Sequence, residues 1–133
     1  MIHLDTSFLV DLLRERRKSE RPATEALGRW EDAELRVSVH AMCELYAGVE
    51  LSDRSGDERE AVEALTRGFE IVSPGPGFAP TYGRIFSHLQ GSGTLISAMD
   101  LLIGTAAAVD SAPILTANPR HFRRIPGLDV ITY

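Results

Sequence analysis

The chain has 133 residues, a formal net charge of −5 and 44% hydrophobic residues, a composition typical of one globular domain with an apolar core. No apolar run approaches the roughly 18 residues that a membrane-spanning helix needs, and a single cysteine, Cys43, excludes an internal disulfide and a cysteine-rich zinc site. The acidic balance argues against nucleic-acid binding through a generally basic surface, but it is compatible with an acidic, metal-dependent site.

The first element is a short apolar run that predicts a buried strand delivering Asp5 to its C-terminal end. Thr6 follows, and Ser7–Arg17 has the amphipathic pattern of a helix. An aspartate here is a favoured helix N-cap, but it also lies where open α/β sheets place their functional crevice, so both roles stay open. Because Asp5 and Asp11 interrupt the apolar N-terminus, we expect no secretory signal and a cytoplasmic location.

The second strand is predicted at Leu35–Val39, after a helix that begins near Pro22 and has Trp30 near its end. This strand leads into a helix that starts at Ser38 or His40 and carries Glu44. Glu44 falls on a strip of small residues, whereas the core-facing stripe is predicted to contain Val39, Met42, Cys43, Tyr46 and Val49.

The second half of the chain continues the alternation of helices and strands. Residues 53–57 predict a polar loop, 58–68 a helix, 71–72 a strand and 79–90 a helix that a glycine-rich turn ends. Residues 93–97 open the helix that carries Asp100, whose Ala-rich part at 101–109 is buried. A strand at 113–116 ends beside Asn118, and 130–132 is the last strand. This order predicts an α/β fold in which residues 1–133 form one three-layer α/β/α domain with a mostly parallel sheet.

Four polar side chains therefore lie at or just after the starts of helices, and in a parallel sheet such positions converge on one edge: Asp5, Glu44, Asp100 and Asn118. Each has a purely structural explanation. Asp100 has capping-box spacing from Ser97, Asn118 precedes a proline as an N-cap would, and Glu44 could be solvated. Three carboxylates brought together, however, repel one another unless a cation lies between them, and Mg²⁺ prefers such oxygen ligands.

The residues around these positions resemble PIN-domain ribonucleases, and in particular VapC-type toxins. The resemblance covers nearly the whole chain in the right order, through residues 2–13, 38–48, 96–107 and 114–128. It implies a three-layer α/β/α domain, usually a homodimer, that cuts RNA with Mg²⁺ or Mn²⁺. It also implies a cognate VapB-type antitoxin as partner, because a free ribonuclease is toxic.

The resemblance assigns the metal to Asp5, Glu44 and Asp100. Many members have a fourth acid where this chain has Asn118, whose amide supplies no charge, so the occupancy of a second metal position is open. Thr6 and Thr116 match hydroxyl positions that orient ligands or water, with ordinary packing at the strand ends as the alternative.

A cationic segment follows Asn118 and surrounds Phe122 with Arg120, His121, Arg123 and Arg124. It is either a local phosphate-binding patch, with Arg120 as a substrate contact, or a solvated short helix with Phe122 in the core.

The N-terminal helices offer an apolar surface on which an amphipathic antitoxin helix could dock, made of Phe8, Leu9, Leu12 and Trp30. The alternative is that these residues are buried in the domain or in a homodimer.

Two other functions also remain open: a catalytically weak PIN domain that binds RNA or protein, and a stand-alone RNA-processing nuclease. Receiver domains, haloacid-dehalogenase phosphatases and dinucleotide binders fit poorly, because the late lysine, the second acid at position 7 and the G-x-G-x-x-G motif are absent.

Overall fold

The computed structural model describes residues 1–133. The five strands are β1 (Ile2–Leu4), β2 (Leu35–Ser38), β3 (Glu70–Val72), β4 (Ile114–Leu115) and β5 (Val130–Ile131). The seven helices are α1 (Thr6–Glu15), α2 (Pro22–Gly28), α3 (Val39–Leu51), α4 (Ser55–Thr66), α5 (Phe78–Gly91), α6 (Ala98–Val109) and α7 (Pro119–Phe122). None of these helices combines the length and apolar character that crossing a membrane requires.

All five strands are parallel and form one sheet in the order β3-β2-β1-β4-β5. The central strand is β1, whose three residues are all buried and whose His3 pairs with Arg36 of β2 and with Ile114 of β4. The chain runs outward from β1 to β3 and then crosses to β4 and β5 on the other side. The direction of winding therefore reverses between β1 and β4, where open α/β sheets form their functional crevice.

Helices flank this sheet in a three-layer α/β/α arrangement, which confirms the predicted fold class. Helix α1 packs on α2 and α3, while α5 packs on α6 and α6 also contacts β1. The prediction of a mostly parallel sheet understated the result, because no antiparallel pair is present.

The apolar face of α1 is buried against the domain's own core, so the predicted docking surface on this face is wrong. Phe8 and Leu9 are completely buried, Leu12 nearly so, and all three belong to one 21-residue apolar cluster. Trp30, which follows α2, is half-buried and packs against the same cluster. An amphipathic pattern shows that a face is covered, but it does not say whether a sheet or a partner covers it.

The core-facing stripe of α3 also differs from the prediction. The buried residues are Ala41, Leu45 and Val49, which are spaced by four residues, whereas Cys43 is exposed. The prediction chose the face of α3 that carries its larger side chains, Met42 and Tyr46. These side chains are only partly buried, and the buried face lies next to them. This difference matters for function, because Glu44 lies next to the true core stripe and points toward the sheet edge where Asp5 lies.

Element boundaries otherwise agree with the sequence to within a few residues. The largest difference is at α4, which begins at Ser55 inside the expected polar loop. Two acids in its first turn, Asp57 and Glu58, stabilise that end of the helix by their interaction with its dipole.

Glu15, the last residue of α1, is a buried carboxylate that binds the N-terminus of α2. It accepts hydrogen bonds from the Ala23 amide at 2.7 Å, the Thr24 amide at 2.9 Å and the Thr24 hydroxyl at 2.9 Å. Burial works to raise the pKa of Glu15, but these three hydrogen bonds outweigh burial and hold the pKa below its ordinary value. The side chain therefore replaces the missing N-cap of α2, which has none of its own.

Candidate active site

A cleft of about 450 Å³ opens at the C-terminal ends of β1 and β4, at the point where the winding of the sheet reverses. Eleven residues line this cleft, which we call the acid cleft: Asp5, Thr6, Ser7, Val10, Asp11, Arg14, Glu44, Asp100, Ala117, Asn118 and Phe122. All three acids predicted for the site and Asn118 are among them. Arg14 is the one cationic side chain in the lining, so the local charge is strongly negative.

Asp5 follows β1 and occupies the N-cap position of α1, but its side chain makes no capping hydrogen bond. Its Oδ2 atom instead accepts hydrogen bonds from the hydroxyls of Ser7 at 2.6 Å and Thr116 at 2.7 Å. Burial raises the pKa of Asp5, the two hydroxyls oppose this shift, and the nearby charge of Asp100 adds to it. The Asp5 side chain is therefore bound by the two hydroxyls and is not used as the cap of α1.

Glu44 reaches the same cleft from α3, where it is held by the residue that follows Asp5. Thr6 Oγ1 donates to Glu44 Oε1 at 2.7 Å. Burial raises the pKa of Glu44, and the charges of Asp100 and Asp5 raise it further against the opposing hydrogen bond from Thr6. The charge of Asp100 thus raises the pKa of both Asp5 and Glu44, which shows that these carboxylates interact electrostatically across the cleft.

Asp100 lies in the first turn of α6 and forms only half of the predicted capping box. Its amide donates to the Oγ of Ser97 at 3.3 Å, but its carboxylate does not return to the backbone of Ser97. Its Oδ2 atom lies 2.6 Å from Nδ1 of His121 instead. The carboxylate is thereby held at the cleft by α7.

Asn118 and Arg120 have different surroundings. Asn118 lines the cleft at the N-cap position of α7, but its side chain makes no capping hydrogen bond. Arg120 is exposed and is not part of the lining. Phe122 is buried in the core, as the structural alternative for this segment predicted. Arg124 binds the carbonyl of Leu95 at 3.1 Å, so the segment is not a uniform cationic patch.

Sequence reasoning missed the roles of Ser7 and Arg14, which line the cleft, and of His121, which contacts Asp100 from outside the lining. Ser7 holds Asp5, and its Oγ also accepts from the amide of Ala117 at 3.0 Å. His121 binds Asp100, and Arg14 lies beside the acids. The hydroxyl at position 7 was visible two residues after Asp5. The contact between His121 and Asp100, by contrast, joins two different helices, so the spacing of residues along the sequence does not indicate it.

The donor set fits a hard divalent cation in its chemistry, since it consists of carboxylates around one cleft. In each acid the side-chain hydrogen bonds described above reach one oxygen, so Asp5 Oδ1, Glu44 Oε2 and Asp100 Oδ1 receive none. The side chains do not yet converge, and no group of three or more His, Cys, Asp or Glu residues is arranged to enclose an ion.

Comparison with known proteins agrees with the fold. The sequence profile of the PIN domain matches residues 2–128. A Ribonuclease VapC of Rickettsia bellii is 33% identical over 97% of this chain and 93% of its own length. Ribonuclease VapC2 of Rickettsia felis is 26% identical over 94% of this chain and 92% of its own length.

Solved structures show the same fold. The crystal structure of VapBC2 from Rickettsia felis bound to a promoter DNA fragment contains a chain that superposes with a TM-score of 0.91 at 24% identity, covering 100% of this chain and 99% of that chain. A chain of DNA-bound VapBC from Salmonella typhimurium superposes with a TM-score of 0.87 at 22% identity, covering 98% and 96%. Together with the profile match and the carboxylates at the sheet's switch point, these similarities show that the chain belongs to the PIN-domain family, among the VapC ribonucleases.

Proposed function

We propose that the acid cleft hydrolyses RNA phosphodiester bonds with one Mg²⁺ or Mn²⁺ held by Asp5, Glu44 and Asp100. The observation that carries this proposal is the arrangement of the three carboxylates, each with one oxygen fixed by a side-chain donor and the other oxygen free of such bonds. A bound divalent ion would offset most of the negative charge of the cluster, polarise a phosphoryl oxygen and lower the pKa of a water molecule.

The hydroxyl groups around the acids prepare them for this role. Thr116 and Ser7 hold Asp5, and Thr6 holds Glu44, so that neither carboxylate has to be ordered when a ligand arrives. Neutral donors suit this purpose because they orient a carboxylate without cancelling the charge that attracts a cation. Asn118 offers an amide at the edge of the cleft, which can hydrogen-bond but adds no charge for a second ion.

Arginine and lysine side chains that could contact the phosphates of RNA lie next to the acid cleft. A second groove of about 580 Å³, which we call the basic groove, shares Val10, Arg14 and Glu44 with the acid cleft. Its remaining cations are Arg16, Arg17 and Lys18. We propose that Arg14 contacts the phosphate backbone at the junction of the two, with exposed Arg120 as a further substrate contact on the α7 side.

The experiment is an RNA cleavage assay with purified protein, titrated with Mg²⁺ and Mn²⁺ and compared with an EDTA-treated sample. We expect cleavage that depends on added metal and that falls as salt rises, because phosphate contacts release counterions. Cleavage that persists at full rate in excess EDTA would contradict the metal assignment.

We further propose that a VapB-type antitoxin regulates this chain, as the complexes named VapBC suggest for their own chains. Since Phe8, Leu9 and Leu12 are in the core, the apolar contact has to be made elsewhere. The basic groove is lined by the apolar residues Val10, Leu13 and Val62 and also by Glu44, which it shares with the acid cleft. An antitoxin helix there could place an arginine against the acids.

Co-expression with the neighbouring small gene, followed by pull-down and RNA cleavage, tests the partner. A complex whose formation suppresses cleavage supports it, whereas cleavage without any complex would favour a stand-alone nuclease. Light scattering on the free protein tests the homodimer that the family resemblance implies.

A binding module without strong catalysis is the second candidate. It is favoured by the neutral Asn118 and by the carboxylates that do not converge as they stand. RNA binding without metal-dependent cleavage in the same assay would support it.

A further inference from the structure

Asp100 differs from the other two acids in how its carboxylate is held. Asp5 and Glu44 accept hydrogen bonds from hydroxyls close to the strand ends, whereas Asp100 is bound by a histidine ring 21 residues further along the chain. The side chain of Asp100 is 28% exposed, and no other side chain donates to its carboxylate. Without His121, this carboxylate would be free to change rotamer at the mouth of the cleft.

The position of His121 is fixed by the packing of α7 and the following turn on α6. Gly104 lies one turn after Asp100 on α6, and a Cβ atom there would stand 2.4 Å from Cδ1 of Ile125 and 3.4 Å from the ring of Phe122. Phe122 and Ile125 are both buried, so they anchor the segment that carries His121. A side chain at position 104 would therefore require the Cδ1 methyl of Ile125 to move.

A second anchor ties the same segment to the chain just before α6. The guanidinium of Arg124 donates to the carbonyl of Leu95 at 3.1 Å. The segment that carries His121 is therefore anchored by core packing at Phe122 and by this hydrogen bond at Arg124. The Nδ1 atom of His121 lies 2.6 Å from Oδ2 of Asp100.

We propose that His121 is a positioning residue that fixes the carboxylate of Asp100, with Nδ1–H donating to Oδ2 so that Oδ1 remains available to the cleft. This inference rests on the proposed function, since it concerns the metal-binding role of Asp100. In this proposal, His121 orients Asp100 and does not bind phosphate, although it belongs to the cationic segment after Asn118. Partners that orient a metal-ligating carboxylate commonly contribute about 10- to 100-fold to metal affinity.

The test compares three variants with the wild-type protein. His121→Ala removes the ring and the donor. His121→Asn keeps a donor, because its Nδ2 atom takes the place of Nδ1. His88→Ala is the matched control, since His88 is exposed on α5 and does not line the acid cleft. Two readouts are needed: the Kd for Mn²⁺ measured by calorimetry without RNA, and kcat and KM for cleavage of a short RNA.

We expect His121→Ala to weaken Mn²⁺ binding by about 10-fold or more, His121→Asn to stay within about threefold of wild type, and His88→Ala to be unchanged. Wild-type affinity in His121→Ala would overturn the proposal, as would equal losses in His121→Ala and His121→Asn. If His121→Ala fails to fold by circular dichroism, His121→Leu replaces it, because leucine fills similar space without a donor. A wild-type protein that neither binds Mn²⁺ nor cleaves RNA would remove the metal site itself, and this inference with it. Metal-dependent cleavage with an indifferent His121 would remove the inference alone.

Discussion

Thr116 donates from Oγ1 to Oδ2 of Asp5 at 2.7 Å, and this contact joins the ends of β1 and β4 across 111 residues of chain. The same hydroxyl accepts from the amide of Asn118 at 2.9 Å. Thr116 is fully buried, and its bond to Asp5 is buried with it, whereas the bond from the Asn118 amide is only partly buried. One side chain thus links the central acid of the cleft to the start of α7, which carries His121.

Replacing this hydroxyl should therefore affect both stability and activity. Thr116→Val keeps the shape but leaves the Asn118 amide unpaired and Asp5 with Ser7 alone, and we expect a loss of about 1–2 kcal/mol in the free energy of unfolding, with slower cleavage. Thr105→Val is the control, because Thr105 is equally buried but bonds only to Leu101 of its own helix. Urea denaturation of both variants provides the measurement, and equal losses would mean that the link across the sheet contributes nothing special.

Asp5→Asn should lower RNA cleavage by about 100-fold or more, because it removes a charge that would bind the ion. The apo protein should become more stable at pH 7, since burial and the charge of Asp100 raise the pKa of Asp5. A pKa raised in the folded state means that Asp5 stabilises the fold below its unfolded pKa of about 4 and loses this contribution as pH rises through the folded pKa.

The stability advantage of Asp5→Asn over wild type should consequently widen from pH 4 to pH 7 in thermal melts without metal. Asp53→Asn is the control, since Asp53 is exposed and away from the cleft. An advantage that stayed constant with pH would show that the charge of Asp5 does not oppose folding.

Glu15 should show the opposite pH dependence. Because its pKa is held low by the amides of Ala23 and Thr24, its contribution is present above the unfolded pKa of about 4.3 and is lost as pH falls through the folded pKa. Glu15→Gln should cost about 2 kcal/mol at pH 7, and the difference from wild type should shrink toward pH 3. Glu20→Gln, at an exposed position nearby, should cost almost nothing at either pH.

The contact between α6 and α7 predicts an interaction between two substitutions. Gly104→Ala should gain up to about 1 kcal/mol of helix propensity but force Ile125 to move, so the net effect in the wild type is unfavourable or near zero. Ile125→Val removes the clashing Cδ1 atom, and Gly104→Ala should stabilise that background. A double-mutant cycle by urea denaturation measures this, and simple additivity would contradict the close approach.

Asn118→Asp should tighten Mn²⁺ binding by calorimetry, because a carboxylate replaces a neutral amide at the edge of the cleft. Asn118→Ala should cost much less than the roughly 1 kcal/mol of a lost N-cap, since the side chain makes no capping bond. Unchanged metal affinity in Asn118→Asp would show that position 118 does not face the bound ion.

The parts of the site that could be predicted from sequence are those fixed by topology. Asp5 and Thr116 follow neighbouring parallel strands, and the order of elements was enough to bring them to one edge. The orientation of α3 was harder to predict, because its larger side chains lie on a face that is only partly buried in the structure. Glu44 was nevertheless placed at the cleft by its position just after the start of a helix, and also by the family resemblance, independently of that error.

The parts that could not be predicted depend on contacts between distant side chains. The pairing of His121 with Asp100 requires Gly104, Phe122 and the docking of α7, none of which local spacing reveals. The burial of Phe8 has the same origin, since the pattern of α1 fits a core or a partner equally well. In both cases the local sequence was compatible with two structures, and tertiary packing determined which of them forms.

The central position of β1 also has a consequence for synthesis. This strand leaves the ribosome first, but its neighbour β4 follows more than a hundred residues later, and Asp5 has no Thr116 to bind until then. At ordinary rates of translation, the nascent chain remains in this state for roughly 5 to 20 s. During that time β1 lacks its neighbour β4, and the acids do not yet share one cleft. The cleft that we propose as the active site therefore forms only after almost the whole domain has been synthesised.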